Sequence, residues 1–278
     1  MTDEDYDFLA TMLRTHSGIS ITNEKSHLVE NRLKAVASRL GFKDITSLMH
    51  ELKAEKATLW RAVTDALMVH DTSFFRDKAP FGYFRTTMLD TLVNARKDAK
   101  RLRVWCSAAS TGQEPYSVAM VIDAQPRFSD WNIEILGSDI NSDVIDRAQE
   151  AIYTQFEILR GLPIQMLAKH FRQDESEWRI SSELRSRVRF KVFNLLESFA
   201  PLGRFDIIFC RNVLMYFDQQ AKQDVLARLS DALAFDGYLV LGAAETVLGL
   251  SQDFAPIVEA PGVFAKASRA GFPRTALQ

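Results

Sequence analysis

Cysteine is almost missing from this sequence: Cys106 and Cys210 are the only two in 278 residues, and each stands inside an apolar run, RLRVWCSAA and FDIIFCRNV. Neither belongs to a CxxC pair or an evenly spaced framework, so a disulfide-stapled scaffold is excluded and both read as reduced, buried strand residues. No uninterrupted apolar stretch approaches the roughly 18 to 20 residues a membrane span requires. The acidic start MTDEDYDFLA lacks the basic and apolar regions of a secretory signal. Cytoplasmic localisation without direct membrane insertion is the expectation. An excess of positive charge is also lacking, since 34 Lys plus Arg stand against 36 Asp plus Glu, a formal net charge of −2. General nucleic-acid binding is disfavoured, because a duplex ligand demands a basic surface that releases phosphate counterions. A local basic patch is still allowed. Internal repeats and low-complexity tracts are absent too.

What is present belongs to a globular protein. Hydrophobic residues make up 47% and charged residues 25% of the chain, close to the average for folded domains and far from the signature of disorder. At roughly 150 residues per domain the length suits two domains or one large one.

Residues 1 to 70 show helical periods and no convincing strand alternation. In the segment 24–40, Leu28, Leu33, Val36 and Leu40 recur at near-helical spacing, with Asn23 available as a cap and Gly41 as a stop. The opposite face of that helix carries Lys25, Arg32, Lys34 and Arg39, which taken alone reads as a solvated face.

From residue 102 the pattern changes to short β-rich runs: 103–109, 133–140, 188–196, 205–212 and 237–245. Nearly continuous apolar strands of this kind are buried on both faces. Helical candidates at 114–124, 141–149 and 218–234 lie between them, so this part alternates strand and helix and predicts a parallel, doubly wound α/β sheet. The final stretch IVEAPGVFAKAS, turning at Pro261 and Gly262, fits an antiparallel edge pair. Between Ala151 and Asn194 the connection is too long for one crossover and reads as a small inserted subdomain.

In such sheets ligands sit beyond the carboxyl ends of the strands, and four of these ends are informative. The loop Ser107-Ala108-Ala109-Ser110-Thr111-Gly112-Gln113-Glu114 allows close backbone approach, but it is not GxGxxG, which argues against a dinucleotide pyrophosphate. Asp139 could accept both hydroxyls of a ribose; equally, it or Asn141 could cap the next helix. Asn194 could read an adenine edge beside Leu195, or simply end a strand. Arg211 and Asn212 end the fourth run before an apolar and aromatic wall that includes Tyr216. Together the four ends describe a pocket for a nucleoside without phosphate. Upstream, His70-Asp71-Thr72-Ser73-Phe74-Phe75-Arg76-Asp77 is either an anchored linker or an aromatic segment closing over a ligand at a domain junction.

TSFFRD (72–77), WCSAASTGQEPYS (105–117), SDI (138–140), FNLLE (193–197) and IFCRNVLMYF (208–217), in this order and spacing, resemble the chemotaxis receptor glutamate O-methyltransferase family, CheR. The resemblance covers about residues 1–267. It implies an N-terminal all-helical domain at 1–70 and a Rossmann-like methyltransferase domain at 71–278, with an inserted β subdomain at about 152–192. It further implies transfer of a methyl group from S-adenosylmethionine, leaving S-adenosylhomocysteine, to glutamate side chains on the cytoplasmic helical region of chemoreceptors. The resulting γ-methyl esters serve sensory adaptation, and the enzyme is expected to act as a monomer with no metal. Positions matching the family's cofactor contacts are Thr72, Arg76, Glu114, Asp139, Asn194, Leu195 and Asn212; His70 stands where relatives often carry Asn, and Arg211 is added from the strand-end reading.

On that reading Arg76 pairs with the cofactor's methionyl carboxylate as a bidentate fork, Glu114 holds its ammonium and Tyr216 orients the incoming glutamate. Lys25, Arg32, Lys34 and Arg39 become a steering surface for an acidic receptor helix. Some relatives tether to a receptor tail through a glycine-containing loop in the β subdomain. Here Leu162 to Leu202 contains no glycine, so no tether is expected. The alternatives are a methyltransferase for another substrate and a non-catalytic nucleoside sensor.

Overall fold

The computed structural model describes residues 1–21, 26–54, 57–68 and 70–268. The chain divides into two units, one formed by Met1–His70 with Tyr216–Ala221, the other by Asp71–Met215 with Lys222–Gln278.

The first unit contains α1 (Asp3–Ser17), α2 (Ser26–Arg39), α3 (Ile45–Lys53) and α4 (Ala57–Leu67). Its core is built from Leu9, Leu13, Leu33, Leu48, Leu52 and Val63, all fully buried. Leu33 and Val36 are buried as their spacing predicts, but Leu28 and Leu40 are 52% and 42% exposed, and Val29 and Ala37 take their places. Positions 29, 33, 36 and 37 form one unbroken stripe on the helix. Leu28 is one residue off that stripe, and Leu40 follows the last helical residue. The expected cap Asn23 lies outside the described residues; near Gly41 the helix closes with Phe42 N donating to Ala37 O at 2.8 Å. Tyr216–Ala221 joins this unit through a hydrogen bond from Ser20 N to Tyr216 O of 2.8 Å and an antiparallel bridge between Ile19 and Phe217.

The second unit begins with α5 (Ala79–Tyr83), a π turn at Phe84–Met88 and α6 (Leu89–Ala95). The alternating part follows: β1 (Arg101–Cys106), α7 (Gln113–Asp123), β2 (Asn132–Asp139) and α8 (Ser142–Glu150). Next come β3 (Ile152–Thr154), α9 (Gln155–Leu159), α10 (Ile164–His170), β4 (Phe171–Asp174), β5 (Glu177–Ile180) and α11 (Ser182–Arg185). The chain then returns through β6 (Val188–Val192), β7 (Phe205–Cys210), α12 (Gln219–Ala232), β8 (Leu233–Leu241), β9 (Phe254–Pro256) and β10 (Val263–Lys266).

Seven strands form one sheet in the order β6-β2-β1-β7-β8-β10-β9. The first five run parallel, and β10 pairs antiparallel with both β8 and β9, the edge arrangement expected around Pro261 and Gly262. Strand order reverses between β1 and β7, and a crevice at the strand tips follows from that reversal. Every residue of β7 is buried, which is why its sequence is an unbroken apolar run. The expected runs 103–109, 188–196 and 205–212 all overshoot their strands, because the last few residues of each, Ser107, Asn194, Arg211 and Asn212 among them, leave the ladder and form the tips. β8 starts earlier than expected, at Leu233, which pairs with Phe205 ahead of a register shift.

The insertion contains a three-stranded antiparallel sheet in the order β3-β5-β4. Its far boundary differs from the expected 152–192: residues 188–192 are β6, paired with β2 from Ile135↔Val188 to Asp139↔Val192. β6 is an edge strand with Val188 as its one buried residue, so its alternating sequence looks like that of the small insertion strands.

Candidate active site at the strand tips

The turn after β1 is held by its neighbours. Ser107 N donates to Phe209 O and Ala109 N to Ser138 O, at 2.9 and 2.8 Å. Gly112 starts α7 at φ 94°, and a Cβ there would lie 3.0 Å from the Ala148 side chain and 3.1 Å from Tyr153 Oη, so this residue must combine a left-handed backbone with close packing. Asp139, at the tip of β2, accepts from Ser110 N at 2.9 Å and from Asn141 N at 3.1 Å. Helix capping falls to Asn141, whose Oδ1 accepts from Asp143 N and Val144 N. Of the two roles weighed for Asp139, capping is therefore taken by its neighbour, and Asp139 ties the tips of β1 and β2 together.

Glu114, in the first turn of α7, faces Arg211 at the tip of β7. Arg211 Nη1 donates to Glu114 Oε2 at 2.7 Å, while Nη2 donates to Asp77 Oδ2 at 2.6 Å and to Arg76 O at 3.1 Å. Arg211 therefore binds protein groups with both terminal nitrogens and stands behind Glu114 as its counter-charge. Burial nevertheless raises the Glu114 carboxyl above its ordinary 4.5, with Arg211 opposing and Arg76 and Glu245 close enough to act on it.

The segment Thr72–Asp77 is anchored rather than lid-like. Phe74 is fully buried, edge-on to Tyr153 at 4.9 Å and to Phe171 at 5.5 Å, and Phe75 N donates to Ser117 Oγ at 3.0 Å. The aromatic pair thus fills core, and of the two readings of this segment the anchored linker holds. Phe75, Asp77 and Lys78 adopt φ of 50°, 65° and 47°, an uncommon run of left-handed non-glycine residues that turns the chain back at the site. Thr72 is half-buried. Arg76 curls onto its own loop, with Nη1 donating to Asp71 O at 2.5 Å and Nη2 3.5 Å from Asp71 Oδ2. Arg160 reaches Asp71 from the end of α9, at 2.6 Å.

Asn194 Oδ1 accepts from Leu196 N at 3.0 Å, which bends the amide oxygen onto its own backbone instead of toward a base edge. Leu195 is 5% exposed, and its carbonyl accepts from Arg228. Asn212 has φ 58°, and its N–H donates to Glu245 Oε2 at 2.8 Å.

Glu114, Asp139, Asn194, Leu195, Arg211, Asn212, Thr72 and Arg76 thus all belong to the second unit, at strand tips or on the segment leading in. His70 and Tyr216 fall in the first unit. There, Arg32 Nη1 donates to Leu67 O and Met68 O at 2.8 and 3.3 Å, while Lys34 and Arg39 are exposed. Arg32 and Arg39 share a helix face, being seven positions apart, but Lys34 points about 200° away from Arg32 at about 100° per residue. The expected four-residue basic face is thus narrower than the sequence suggests, and Lys25 lies outside the described residues. Sequence reasoning missed Asp77 and Glu245. Glu245 follows β8 as Asp139 ends β2, so the strand-end rule applied to a fifth strand would have found it.

The residues at the tips fit a cationic nucleoside ligand. Ser110 Oγ and Arg211 Nε are buried polar atoms without a hydrogen-bond partner among the described residues, which leaves hydrogen-bonding capacity unused at the ends of β1 and β7. Carboxylates from Glu114 and Asp139 suit a ligand that carries a positive charge and ribose hydroxyls.

Residues 70–262 match the family model described as CheR methyltransferase, SAM binding domain, and residues 4–68 match CheR methyltransferase, all-alpha domain. Among curated proteins, the chain is 33% identical over 271 residues to Chemotaxis protein methyltransferase 1 of Pseudomonas aeruginosa, covering 95% of this chain and 97% of that one. It is 34% identical over 269 residues to Chemotaxis protein methyltransferase Cher2 of Pseudomonas putida, covering 95% and 98%. With the Chemotaxis protein methyltransferase of Vibrio anguillarum it shares 33% over 272 residues, covering 96% and 98%. A reversing parallel sheet with acidic tips, an all-helical first unit and matches over nearly the whole length lead to one conclusion: the chain belongs to the CheR methyltransferase family and uses S-adenosylmethionine as its cofactor.

Proposed function

We propose that this protein transfers the methyl group of S-adenosylmethionine to glutamate side chains on the helical cytoplasmic region of chemoreceptors, forming γ-methyl esters for sensory adaptation, and that it does so in the cytoplasm. The observation that carries this reading is the Glu114–Arg211 pair at the sheet's reversal point, together with Asp139 at the tip of β2, inside the segment matched by the family's cofactor-binding model. No helix among the described residues is long and apolar enough to cross a membrane.

The cofactor, when bound, supplies a methyl group on a positively charged sulfur. A glutamate acceptor has an ordinary pKa of about 4.3, so at neutral pH it is already a nucleophile and no general base is needed. The work left to the protein is alignment, which converts a two-body displacement into an effectively one-body step when the reacting atoms are held about 3 to 3.5 Å apart. Glu114 holds the ammonium end, with Arg211 behind it keeping the pair near neutrality. Arg76 takes the methionyl carboxylate, and Asp139 takes the ribose. Asn194, Leu195, Thr72 and Asn212 line the remainder, and Tyr216, four residues beyond Asn212, orients the acceptor carboxylate.

Arg39, with Arg32 behind it on the same face of α2, steers the acidic receptor helix. The β4–β5 connection is a tight hairpin in which Asp174 pairs with Glu177 across two turn residues. Such a turn offers no loop for a receptor tail, which supports action without a tether. Incubation with tritium-labelled cofactor and receptor tests the central reading: base-labile label on receptor glutamates is expected, and label that survives mild base would sink it.

A further inference from the structure

A carboxylate that the cofactor reading does not use joins the tips of β7 and β8. Glu245 accepts four backbone N–H groups: Asn212 N and Gly242 N at Oε2, both at 2.8 Å, and Val213 N and Met215 N at Oε1, at 2.9 and 3.2 Å. A carboxylate receiving several N–H bonds is charge-assisted at each, and such bonds are roughly twice as strong as neutral ones. Glu245 is half-buried, and its bonds span the turn that begins at Asn212.

That turn is not one the chain adopts readily. Asn212 has φ 58°, in the left-handed region that few residues with a side chain adopt and that Asn tolerates best. Its neighbour across the gap leaves no slack either. A Cβ on Gly242 would lie 2.8 Å from Glu245 Oε2, 2.9 Å from Asn212 Nδ2 and 3.0 Å from Asn212 N. The Asn212 amide and the Glu245 carboxylate therefore fill the space where a Gly242 side chain would stand, and the carboxylate holds the Asn212 N–H that sets the turn.

We propose that Glu245 is a positioning residue of the cofactor site, acting through Asn212: its carboxylate holds the β7 tip in the left-handed turn that presents the Asn212 amide to the bound nucleoside. This rests on the cofactor-binding part of the function proposed above, and on no assumption about the acceptor. The charge need not touch the ligand. Its effect is to meet the cost of the turn before binding, so that the ligand does not have to.

The test is a double-mutant cycle read by calorimetry with S-adenosylhomocysteine. Glu245→Gln keeps the size but replaces one acceptor oxygen by a donor facing donors; Asn212→Gly removes the amide while tolerating the positive φ. Each single variant is expected to weaken binding about tenfold, the change expected from losing a charged hydrogen bond. The double variant is expected to be no weaker than Asn212→Gly alone, because Glu245 then has nothing to position. Multiplying losses, or wild-type affinity in Glu245→Gln, overturns the proposal. Should Glu245→Gln melt below the assay temperature, Gly242→Ala supplies the reading. It keeps both side chains but displaces them, with an expected loss of about tenfold, and unchanged affinity there overturns the proposal too. Because no receptor is present in these measurements, a failure to methylate receptor glutamates refutes the proposed acceptor and leaves this result intact.

Discussion

Arg211 Nη1 lies 2.7 Å from Glu114 Oε2, and the two side chains are 2% and 12% exposed. A carboxylate this enclosed is tolerable because its counter-charge is built into the next strand tip. Removing the arginine strands a buried anion, a change that costs about 3 to 5 kcal/mol in comparable pairs. Arg211→Met is therefore expected to lower the midpoint of chemical denaturation sharply, whereas Glu114→Gln, which keeps a hydrogen-bonding oxygen for Arg211, should fall well short of that loss. Equal losses in the two variants would contradict the assignment of Arg211 as counter-charge.

The same burial makes cofactor binding pH-dependent. Burial raises the Glu114 carboxyl above 4.5 despite Arg211, so the folded chain keeps this proton over a window starting near 4.5 and extending upward, where the unfolded chain has lost it. The sign follows: stability from this group is fully present below 4.5 and is lost as pH rises through the raised value. An ammonium ligand favours the ionised form, so binding in that window should release a proton. Calorimetry of S-adenosylhomocysteine in buffers of differing ionisation heat should detect this, with affinity falling as pH drops. Glu114→Gln should abolish the buffer dependence.

Asp139→Asn tests the link between the tips of β1 and β2. The carboxylate accepts Ser110 N and Asn141 N through its two oxygens, and an amide can serve only one of them. A destabilisation of about 1 to 3 kcal/mol is expected from a buried donor left unmet, together with at least a tenfold weaker affinity for S-adenosylhomocysteine. Native affinity in a folded Asp139→Asn chain would remove Asp139 from the ribose subsite.

The two arginines on α2 should separate by what they do. Arg32 is bound to the carbonyls of Leu67 and Met68, so Arg32→Glu should lower thermal stability before it affects anything else. Arg39 is exposed, and surface changes of this kind usually stay within about 0.5 kcal/mol. Arg39→Glu should slow receptor methylation at low ionic strength and converge with wild type as salt screens the potential. A salt-independent loss would argue against steering.

A receptor C-terminal tail peptide should give no binding heat with this protein, since a two-residue turn connects β4 and β5. Tight binding would refute action without a tether.

Much of this was open to reading along the chain. The apolar runs that became β1, β2 and β7, the antiparallel pair at the end and the acidic β2 tip follow from local pattern alone, since period and burial are tied together in a strand covered on both faces. The sequence misled where pattern is shared by different environments. VRFKV reads equally well as an edge strand of the large sheet or as part of the insertion. Leu28 and Leu40 look like core by identity, although neither lies on the buried stripe within the helix. Phe74 and Phe75 look like a lid, and only their packing against Tyr153, Phe171 and Phe81 places them in the core.

Sequence by itself determined the fold class, the family and most of the polar residues at the strand tips, Glu245 excepted, because periodicity, turn chemistry and motif order are local properties. Only the tertiary structure decided which of those residues pair with one another. That Arg211 neutralises Glu114, that Asp139 ties the tip of β2 to the turn after β1, and that Glu245 reaches the N–H groups of the β7 tip depend on distances between segments far apart in the chain. Charges and donors carry no address in the sequence; packing the strands side by side assigns each its partner.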